Sequence, residues 1–489
     1  MLRRMRDIVT KNKMAIAILL IAALLRFFRF TEFVTFLGDQ GRDAIIVRRI
    51  VTLEHLPAIG PTSSIGGMFL GPFFYYFISP FLLLFNFDPV GLAFSSALFS
   101  LVGMAVSYVI IKKLADTMTA LLFLVFVCFS SVQIDFARSS WNPNLLPVFS
   151  FVAVYLWYKF ISSKNTVYPL LFGAVASICM QLHYLTLFLL AAFILMWVKE
   201  ILVSKEKITL LKKAILAATT FIFFYAPLIL FDLKHDFLNT RAFIRVLTNK
   251  EVVTNSSSLT RILETNSALY EHMFKFDVNQ YVALAISAIL FIFVLQNGFF
   301  KKKSFLQINT FVLFFYIFAF SLLNSFRHPH YYTPIYYSFF FIFAYCLSHI
   351  SEINKGVKYA FIAVFMGVFI YLNASTFYFF KNHGSNQINI ARTIAQSLLD
   401  HKPQAPYQIV PIPFTETDGH IRYFLEVAGN RPLPEESGDQ PKELYILCYE
   451  QDCSELAAPQ WQIASFKNAT ISATWNVDRV KIYKVVHKN

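Results

Sequence analysis

The chain has 489 residues and a formal net charge of +14, and it is 56% hydrophobic but only 15% charged. Soluble globular proteins are usually about 45–50% apolar and about 25% charged, so most of this chain is not an ordinary soluble domain. The basic charge does not indicate nucleic-acid binding. Residues 381–489 hold 11 Lys and Arg against 12 Asp and Glu, and the basic excess lies in short loops between apolar blocks.

The apolar residues form blocks long enough to cross a hydrocarbon core of about 30 Å as helices. Lipid offers the backbone no hydrogen-bond partner, so each block is expected to be helical. The first block follows a basic stretch and precedes no small-residue cleavage site, so we expect it to be a retained helix rather than a signal peptide. The twelve blocks are residues 14–30, 69–85, 90–111, 117–134, 145–161, 167–182, 184–198, 214–231, 281–298, 306–324, 334–350 and 358–379.

The distribution of lysine predicts how these blocks cross the membrane. If block 69–85 does not cross, every basic loop lies on the side of the N-terminus, as the positive-inside rule expects. The preferred topology has about eleven crossings in the plasma membrane, a cytoplasmic N-terminus, an extracytoplasmic C-terminus and an embedded or re-entrant segment at 69–85. In the rival topology block 69–85 crosses, residues 167–198 form one long helix, and Lys112 and Lys113 lie outside.

The preferred topology divides the chain into a transmembrane domain, residues 1–380, and a soluble extracytoplasmic α/β domain, residues 381–489. The outer loops are predicted at 31–89 (the first), 135–144, around 183, 232–280 (the fourth) and 325–333. In the tail, helices are predicted at 388–399, 420–428 and 453–457, and strands at 407–412, 443–449, 461–466 and 479–486. Cys448 and Cys453 lie in this tail and would pair in an oxidising compartment.

The first outer loop opens with the acidic motif Gly38-Asp39-Gln40-Gly41-Arg42-Asp43, directly after the first predicted helix. Asp39 and Asp43 are four residues apart, so they share one face of a helix. A carboxylate at the edge of the bilayer is a candidate general base. The alternative is that one of the two aspartates caps a surface helix while Arg42 is solvated.

Two further motifs follow, Gly60-Pro61 and Gly71-Pro72-Phe73-Phe74-Tyr75-Tyr76. The order of a membrane start, an acidic motif, Gly-Pro and this aromatic segment resembles the GT-C superfamily of glycosyltransferases. More narrowly, it is similar to the bacterial branch related to protein O-mannosyltransferases and the lipid A aminoarabinose transferase. The resemblance covers about residues 14–380. It implies an all-α polytopic membrane bundle of GT-C type, here followed by a small C-terminal α/β domain.

The resemblance also implies a function. Such enzymes transfer a sugar from a polyprenyl-phosphate donor to a lipid, glycan or protein acceptor, here on the outer face of the bilayer. The relatives commonly carry Asp-Glu where this chain has Asp39-Gln40, which puts a metal role in doubt. No metal ligand is therefore predicted and no cofactor is certain, although the resemblance leaves room for a divalent metal.

Candidate site residues follow from this chemistry. A base must activate the acceptor, and Asp39 and Asp43 are the catalytic candidates. Arginine pairs with phosphate oxygens through two parallel hydrogen bonds, and histidine is a further donor. The candidates for binding the donor phosphate are Arg42, Arg138, His183, Arg327 and His330. The candidates for binding the substrates are Asn142, His235, Asp236 and Tyr331.

Alternatives remain for the residues and for the function. His183 is also explained as an interhelical histidine, Arg327 to His330 as an interfacial anchor, and Lys234 to Asp236 as polar residues beyond a helix end. The rival functions are an O-antigen-type polysaccharide polymerase or ligase and a lipid-linked sugar transporter. The sequence has no inverted repeat typical of transporters, and a polymerase gives no reason for an acidic motif after the first helix.

Overall fold

The computed structural model describes residues 10–63, 67–248, 257–298, 304–350, 354–450, 453 and 456–488. The chain forms two compact units. The first unit consists of Met1–Phe28, Ala58–Phe74 and Ser96–Asn382. The second unit consists of Arg29–Pro57, Tyr75–Ser95 and His383–Asn489. The C-terminal segment thus shares a unit with two earlier stretches of the chain, and the predicted domain boundary at residue 380 stays a prediction.

Every one of the twelve predicted apolar blocks coincides with a helix. Among the described residues, five helices are long and apolar enough to cross a membrane, or six if the bent pair Thr117–Phe129 and Ser131–Ala137 forms one span. A multi-pass membrane protein is therefore confirmed, whereas the number of eleven crossings stays a prediction. The helices are Lys13–Phe27, Phe73–Leu84, Val90–Leu114, Thr117–Phe129, Leu146–Ser162, Val167–Leu182, Thr186–Val203, Lys207–Lys234, Gln280–Gly298, Phe305–Ser321, Tyr336–Ser348 and Lys355–Ala374.

The rival prediction of one long helix over residues 167–198 is wrong. The first helix ends at Leu182, and His183 takes an extended backbone conformation with φ −164° and ψ 132°. The second helix begins at Thr186, whose hydroxyl donates a hydrogen bond of 3.0 Å to the carbonyl oxygen of Cys179. The chain therefore turns here and presents a loop between the two helices.

The aromatic helix Phe73–Leu84 has 12 residues and contains Pro80. A helix of this length rises about 18 Å, which is less than a hydrocarbon core of about 30 Å. This length favours the embedded or re-entrant segment of the preferred topology, whose crossing behaviour remains a prediction.

Shorter helices occupy the connections between the apolar helices. The aspartate Asp232 fixes the start of one of them, because its carboxylate accepts hydrogen bonds from the backbone of Asn239, at 2.6 Å, and from the hydroxyl of Thr240, at 2.5 Å. These helices are Phe30–Phe33, Gly38–Val51, Ser131–Ala137, Leu238–Thr248, Ser258–Phe274 and Tyr378–Lys381, with 3-10 turns at Asn142–Leu145 and Pro329–Tyr332.

In the second unit, the acidic motif forms the start of the helix Gly38–Val51, called here the acidic helix. Ala44, Val47 and Ile50 are buried along one side of it. Their spacing of three residues gives the helix one apolar stripe. The acidic helix packs against a helix of the C-terminal segment, Gly419–Val427, called here the facing helix.

The C-terminal segment carries a four-stranded sheet. The strands are β1 (Tyr407–Ile412), β2 (Glu443–Cys448), β3 (Ala469–Val477) and β4 (Val480–His487). Their order is β1-β2-β4-β3, with β1 parallel to β2 and the other pairs antiparallel. The facing helix lies in the crossover between the two parallel strands, as such a connection requires. The other helices are Gln387–Asp400 and Trp461–Ala464.

The sequence predicted three of these strands and two of the helices correctly. The strand predicted at 461–466 is wrong, because Trp461–Ala464 forms one helical turn that buries Ile463. The strand β3 was not predicted. The helix predicted at 453–457 lies partly outside the described residues, since 454 and 455 are among those not described. Cys448 and Cys453 form the predicted disulfide.

Candidate functional site

The carboxylate of Asp43 is the centre of a charged cluster in the second unit. Asp43 is only 2% exposed, although it lies on the amphipathic acidic helix. Its Oδ1 accepts hydrogen bonds from Nη2 of Arg42 at 2.8 Å, from Nε of Arg42 at 3.1 Å and from the hydroxyl of Tyr75 at 3.1 Å. Two side chains therefore fix the position of one carboxylate oxygen.

Arg42 also connects Asp43 to Asp39. Its Nη1 donates to Oδ1 of Asp39 at 2.9 Å, while the side chain of Asp39 stays 63% exposed. Neither aspartate caps the helix, so that alternative is wrong: the helix begins at Gly38, and the side-chain oxygen of Gln40 accepts the backbone N–H of Leu37 at 3.2 Å. The two predicted catalytic residues are thus joined by one guanidinium group.

Burial raises the pKa of Asp43 to about 6, against the opposing effect of Arg42. The ionised form is held by the guanidinium and the phenol rather than by solvent. Arg42 contacts Oδ1 of both aspartates of the motif. Among the described residues, no group of three or more His, Cys, Asp and Glu side chains converges in a way that could hold a metal ion.

A second cluster surrounds a cavity of about 120 Å³ in the first unit, called here the loop cavity. Its lining comes from all five loops that the sequence predicts on the outer side of the membrane. The polar and aromatic lining residues are Thr62, Ser63, Trp141, Asn142, His183, Tyr184, Phe188, Phe243, Ser325, His330 and Tyr331. No arginine, lysine or carboxylate lines this cavity. The loop cavity is therefore aromatic and polar without charge.

The rings of His183, His330, Trp141 and Tyr331 lie close together in the loop cavity. The centroid of His330 is 4.7 Å from that of Trp141 and 5.9 Å from that of His183. The centroids of His183 and Tyr331 are 5.7 Å apart. The structure thus brings the predicted site residue His183 next to two others, His330 and Tyr331, from a distant part of the sequence.

Both imidazoles of the loop cavity are neutral at physiological pH. Burial lowers the pKa of His183 to about 4. Burial, followed by the neighbouring histidines, lowers the pKa of His330 to about 3. The Nδ1 atom of His183 accepts the backbone N–H of Leu185 at 3.2 Å, so its proton lies on Nε2, which leaves that nitrogen as a hydrogen-bond donor.

Asn142 and Tyr331 also reach the loop cavity, but each has a structural contact. The amide of Asn142 donates to the carbonyl oxygen of Leu182 at 2.6 Å and so ties its loop to the end of a membrane helix. The carbonyl oxygen of Tyr331 accepts the hydroxyl of Tyr316 at 2.5 Å. These bonds hold the walls of the cavity in place.

Two predicted phosphate-binding arginines are engaged by carbonyl oxygens. Arg138 is 1% exposed, and its Nη1 donates to the carbonyl oxygens of Leu25 and Arg26 at 3.1 and 2.9 Å. Arg327 donates from Nη1 to the carbonyl oxygen of Ser325 at 2.6 Å. Both guanidinium groups therefore stabilise the ends of chain segments, and a role in phosphate binding stays a prediction.

His235 and Asp236 are exposed and do not line the loop cavity. The ring of His235 stacks on Phe231 with centroids 4.1 Å apart, and Asp236 has a positive φ of 53°. Sequence reasoning missed two other residues, Tyr75 and Trp141, as members of the sites. Tyr75 lies in the aromatic motif and Trp141 in the predicted outer loop 135–144, but the partner of each ring depends on tertiary structure.

An apolar cavity of about 390 Å³ lies among four membrane helices of the first unit. Its walls carry many aromatic rings, and almost no polar surface reaches it. The aromatic lining residues are Trp157, Phe160, Phe172, Phe193, Trp197 and Phe221. A space of this kind suits a hydrocarbon chain rather than a polar ligand.

Comparison with known proteins gives a family match for part of the chain. Residues 70–231 match the family described as dolichyl-phosphate-mannose-protein mannosyltransferase. No curated protein sequence is significantly similar to the chain. The family match covers the aromatic segment and the membrane helices that follow it.

Solved structures give a match over nearly the whole chain. ArnT from Cupriavidus metallidurans bound to undecaprenyl phosphate is 12% identical, with a TM-score of 0.61 over 97% of this chain and 98% of that chain. The apo state of the same ArnT gives a TM-score of 0.58 at 12% identity, over 99% and 98% of the two chains.

A third structure is an oligosaccharyltransferase from Archaeoglobus fulgidus in complex with Zn and sulfate. It is 13% identical, with a TM-score of 0.51 over 86% of this chain and 62% of that chain. At these identities the likeness concerns the fold. Together with the family match, it confirms the resemblance found in the motifs: the chain has the fold of the GT-C glycosyltransferases.

Proposed function

We propose that the protein is a membrane glycosyltransferase that moves a sugar from a polyprenyl-phosphate-linked donor to a lipid, glycan or protein acceptor on the outer face of the membrane. The observation that carries the proposal is the loop cavity, built from five loops that the lysine distribution assigns to one side. Aromatic walls with a few uncharged polar groups are typical of pockets for small polar ligands. The GT-C fold supports the same class of activity.

The proposed base is Asp39. One of its carboxylate oxygens is held by Arg42, and the side chain is exposed enough to meet an acceptor. In the proposed step, Asp39 takes the proton from the acceptor hydroxyl or amine while that atom attacks the anomeric carbon. The bond between the anomeric carbon and the lipid phosphate breaks, and the phosphate leaves with the electron pair. Because the acceptor attacks from the opposite side, the configuration of the anomeric carbon is inverted. Asp43 holds Arg42 and thereby orients Asp39.

The proposed substrate contacts in the first unit come from the loop cavity. Trp141 and Tyr331 offer aromatic faces, and His183 offers an N–H donor on Nε2. His330 and Asn142 complete the polar lining. Neutral groups of this kind can bind sugar hydroxyls or donate to a phosphate oxygen without the cost of burying an unpaired cation. The apolar cavity among the membrane helices is the proposed place for part of the polyprenyl chain.

The proposal includes a cytoplasmic N-terminus and an extracytoplasmic C-terminal segment in the plasma membrane. The lysine-rich loops support this orientation, and so does the disulfide Cys448–Cys453, which requires an oxidising compartment. The test is labelling of intact cells with a membrane-impermeant maleimide. Ser472→Cys is expected to react and Asn165→Cys is not, and the reverse pattern would overturn the orientation.

The test of function is sugar transfer by the purified protein in detergent, with a panel of polyprenyl-phosphate sugars and of acceptors. The wild type is expected to consume one donor, and Asp39→Asn is expected to lose about 100- to 10,000-fold in rate, the usual contribution of a general base. Asp478→Asn is the matched control, because Asp478 lies in a surface turn at φ 53°, a conformation that asparagine accepts.

Three outcomes decide the proposal. Loss of transfer in Asp39→Asn, with Asp478→Asn fully active, supports both the enzyme and its base. An active Asp39→Asn variant overturns the assignment of the base and directs attention to Asp43. Failure of the wild type with every donor and acceptor pair overturns the transferase and favours the polymerase or the transporter.

A further inference from the structure

The C-terminal segment contacts both elements that supply the partners of Asp43. Asp43 and Arg42 lie on the acidic helix, and Tyr75 lies on the aromatic helix Phe73–Leu84. We propose that the C-terminal segment is a clamp that positions these two elements for the reaction, with Glu426 as its main positioning residue. The inference rests on the proposed function, because it concerns the helix that carries the proposed base.

Glu426 makes the first contact of the clamp. It lies on the facing helix and is 4% exposed. Its Oε1 accepts a hydrogen bond from Arg49 of the acidic helix and another from Arg431, whose Nε is 2.7 Å away. A buried carboxylate between two guanidinium groups is costly to disturb, because removing its charge leaves the arginines without their partner.

Glu54 extends this contact beyond the end of the acidic helix. Its carboxylate accepts Nη2 of Arg431 at 2.8 Å and Nη1 of Arg48 at 2.7 Å. The hydrogen bond from Arg431 holds the pKa of Glu54 at about 2, well below its usual range. The network therefore joins the C-terminal segment to two successive arginines of the acidic helix, Arg48 and Arg49.

Close backbone packing fixes the other end of the same helix. A Cβ atom on Gly41 would overlap the backbone of Gly419 and His420. A Cβ atom on Gly419 would lie 2.8 Å from the carbonyl oxygen of Gly38 and 3.2 Å from the nitrogen of Arg42. Only glycine allows so close an approach. The facing helix thus touches the acidic helix directly beside Arg42.

A second pair of contacts holds the turn that follows the aromatic helix. The hydroxyl of Tyr423 donates to the carbonyl oxygen of Phe87 at 2.6 Å. Nη2 of Arg392 lies 2.7 Å from Oδ2 of Asp88. This turn comes directly after the helix that carries Tyr75. The C-terminal segment therefore holds both sides of the hydrogen bond between Tyr75 and Asp43.

The helix geometry makes this arrangement suitable for positioning. Arg49 follows Asp43 by six residues, which is about 9 Å along a helix. A helix of 14 residues is stiff over that distance, so a contact at Arg49 limits the tilt and the rotation of the whole acidic helix. A displacement of about 1 Å at a reacting group can lower a rate by about 100-fold.

The test combines hydrogen exchange with kinetics on the full-length protein. Glu426→Gln keeps the shape of the side chain but removes its charge, and Tyr423→Phe removes the second contact. Glu436→Gln is the matched control, because Glu436 is an exposed glutamate of the same segment. Amide exchange of residues 38–51 reports the position of the acidic helix without reference to activity.

The expected result has two parts. Glu426→Gln increases the exchange rate of residues 38–51 and lowers kcat by about 10- to 100-fold with little change in KM, whereas Glu436→Gln changes neither. Glu426→Asp, which restores the charge, recovers part of kcat. This recovery and the separation of kcat from KM distinguish positioning from a general loss of stability.

The outcomes separate this inference from the proposed function. If Glu426→Gln leaves both exchange and kcat at wild-type values, the clamp is overturned although transfer is intact. A fall in kcat without any change in exchange of residues 38–51 also overturns it. If the wild type transfers no sugar, the proposed function fails, and the exchange data alone then decide whether the C-terminal segment holds the acidic helix.

Discussion

The charged cluster around Asp43 and the loop cavity differ in how their polar groups are satisfied. In the cluster, Arg42 and Tyr75 surround the carboxylate, so that opposite charges meet directly. In the loop cavity, the lining groups carry no charge at physiological pH, and His183 keeps a donor nitrogen. Buried charge must be paired, whereas neutral polar groups can be left for a ligand at lower cost.

Under the proposed function, the two regions would divide the tasks. A carboxylate held by an arginine is suited to proton transfer, because its position and charge are fixed before a substrate arrives. Aromatic rings with neutral donors are suited to recognition. Substitutions in the charged cluster should therefore act mainly on kcat, and substitutions in the loop cavity should act mainly on KM.

The largest effect among these predictions is expected for Asp43→Asn. Loss of the charge frees Arg42 from its main partner, so Asp39 loses its fixed position, and kcat should fall by about 100-fold with little change in KM. Steady-state kinetics with the active donor measure this, with Asp478→Asn as the control. An increase in KM at unchanged kcat would contradict the division of tasks.

A smaller effect is expected for Trp141→Ala. The indole forms a wall of the loop cavity beside His330, with ring centroids 4.7 Å apart, and its loss should raise KM by about tenfold, which corresponds to about 1.4 kcal/mol of binding. The value of kcat should stay within a factor of about two. Trp461→Ala, a change at an exposed indole of the C-terminal segment, is the control. A fall in kcat alone would place Trp141 with the catalytic groups instead.

The two regions should also respond differently to pH. Burial raises the pKa of Asp43 to about 6, so this carboxyl is mostly ionised at pH 7 and mostly protonated at pH 5. Because the ionised form holds Arg42, kcat should fall by about tenfold when the pH is lowered from 7 to 5. The pKa values of His183 and His330 lie at about 4 and about 3, so both stay neutral over this interval and KM should remain constant. If KM instead rises between pH 7 and pH 5 with a midpoint near pH 6, the histidines titrate in this interval, and the prediction is contradicted.

The smallest effect on activity is expected for Arg138→Met. The arginine donates to carbonyl oxygens at the end of the first membrane helix, so its loss should lower the free energy of unfolding by about 1 kcal/mol. Thermal unfolding in detergent measures the change, and kcat and KM should be unaffected. A large rise in the KM of the donor at unchanged stability would support phosphate binding instead.

The sequence predicts the membrane helices well because length and hydropathy determine them locally. It predicts the C-terminal sheet less completely. The apolar residues of 461–466 suggested a strand, but Ile463 lies in the helical turn Trp461–Ala464, and Phe466, three residues later, is buried as well. The edge strand β3, Ala469–Val477, alternates apolar and polar residues along its whole length, so its sequence carried a strand signal that the prediction did not use.

The candidate site was predictable only in part. The spacing of Asp39 and Asp43 correctly placed both on one helix, and His183 and His330, predicted on two outer loops, line one cavity. The destination of a long side chain was not predictable. Arg138 lies in the predicted outer loop 135–144 and was a candidate for phosphate binding, yet its guanidinium reaches carbonyl oxygens more than a hundred residues away in sequence.

The close contact at Gly41 gives the acidic motif a second meaning. Within Gly38-Asp39-Gln40-Gly41-Arg42-Asp43, the charged residues form the charged cluster. Gly41 instead allows the backbone of the facing helix to approach closely. A side chain at position 41 would have to displace this backbone, so the glycine is required by packing and not by the chemistry of the neighbouring aspartates.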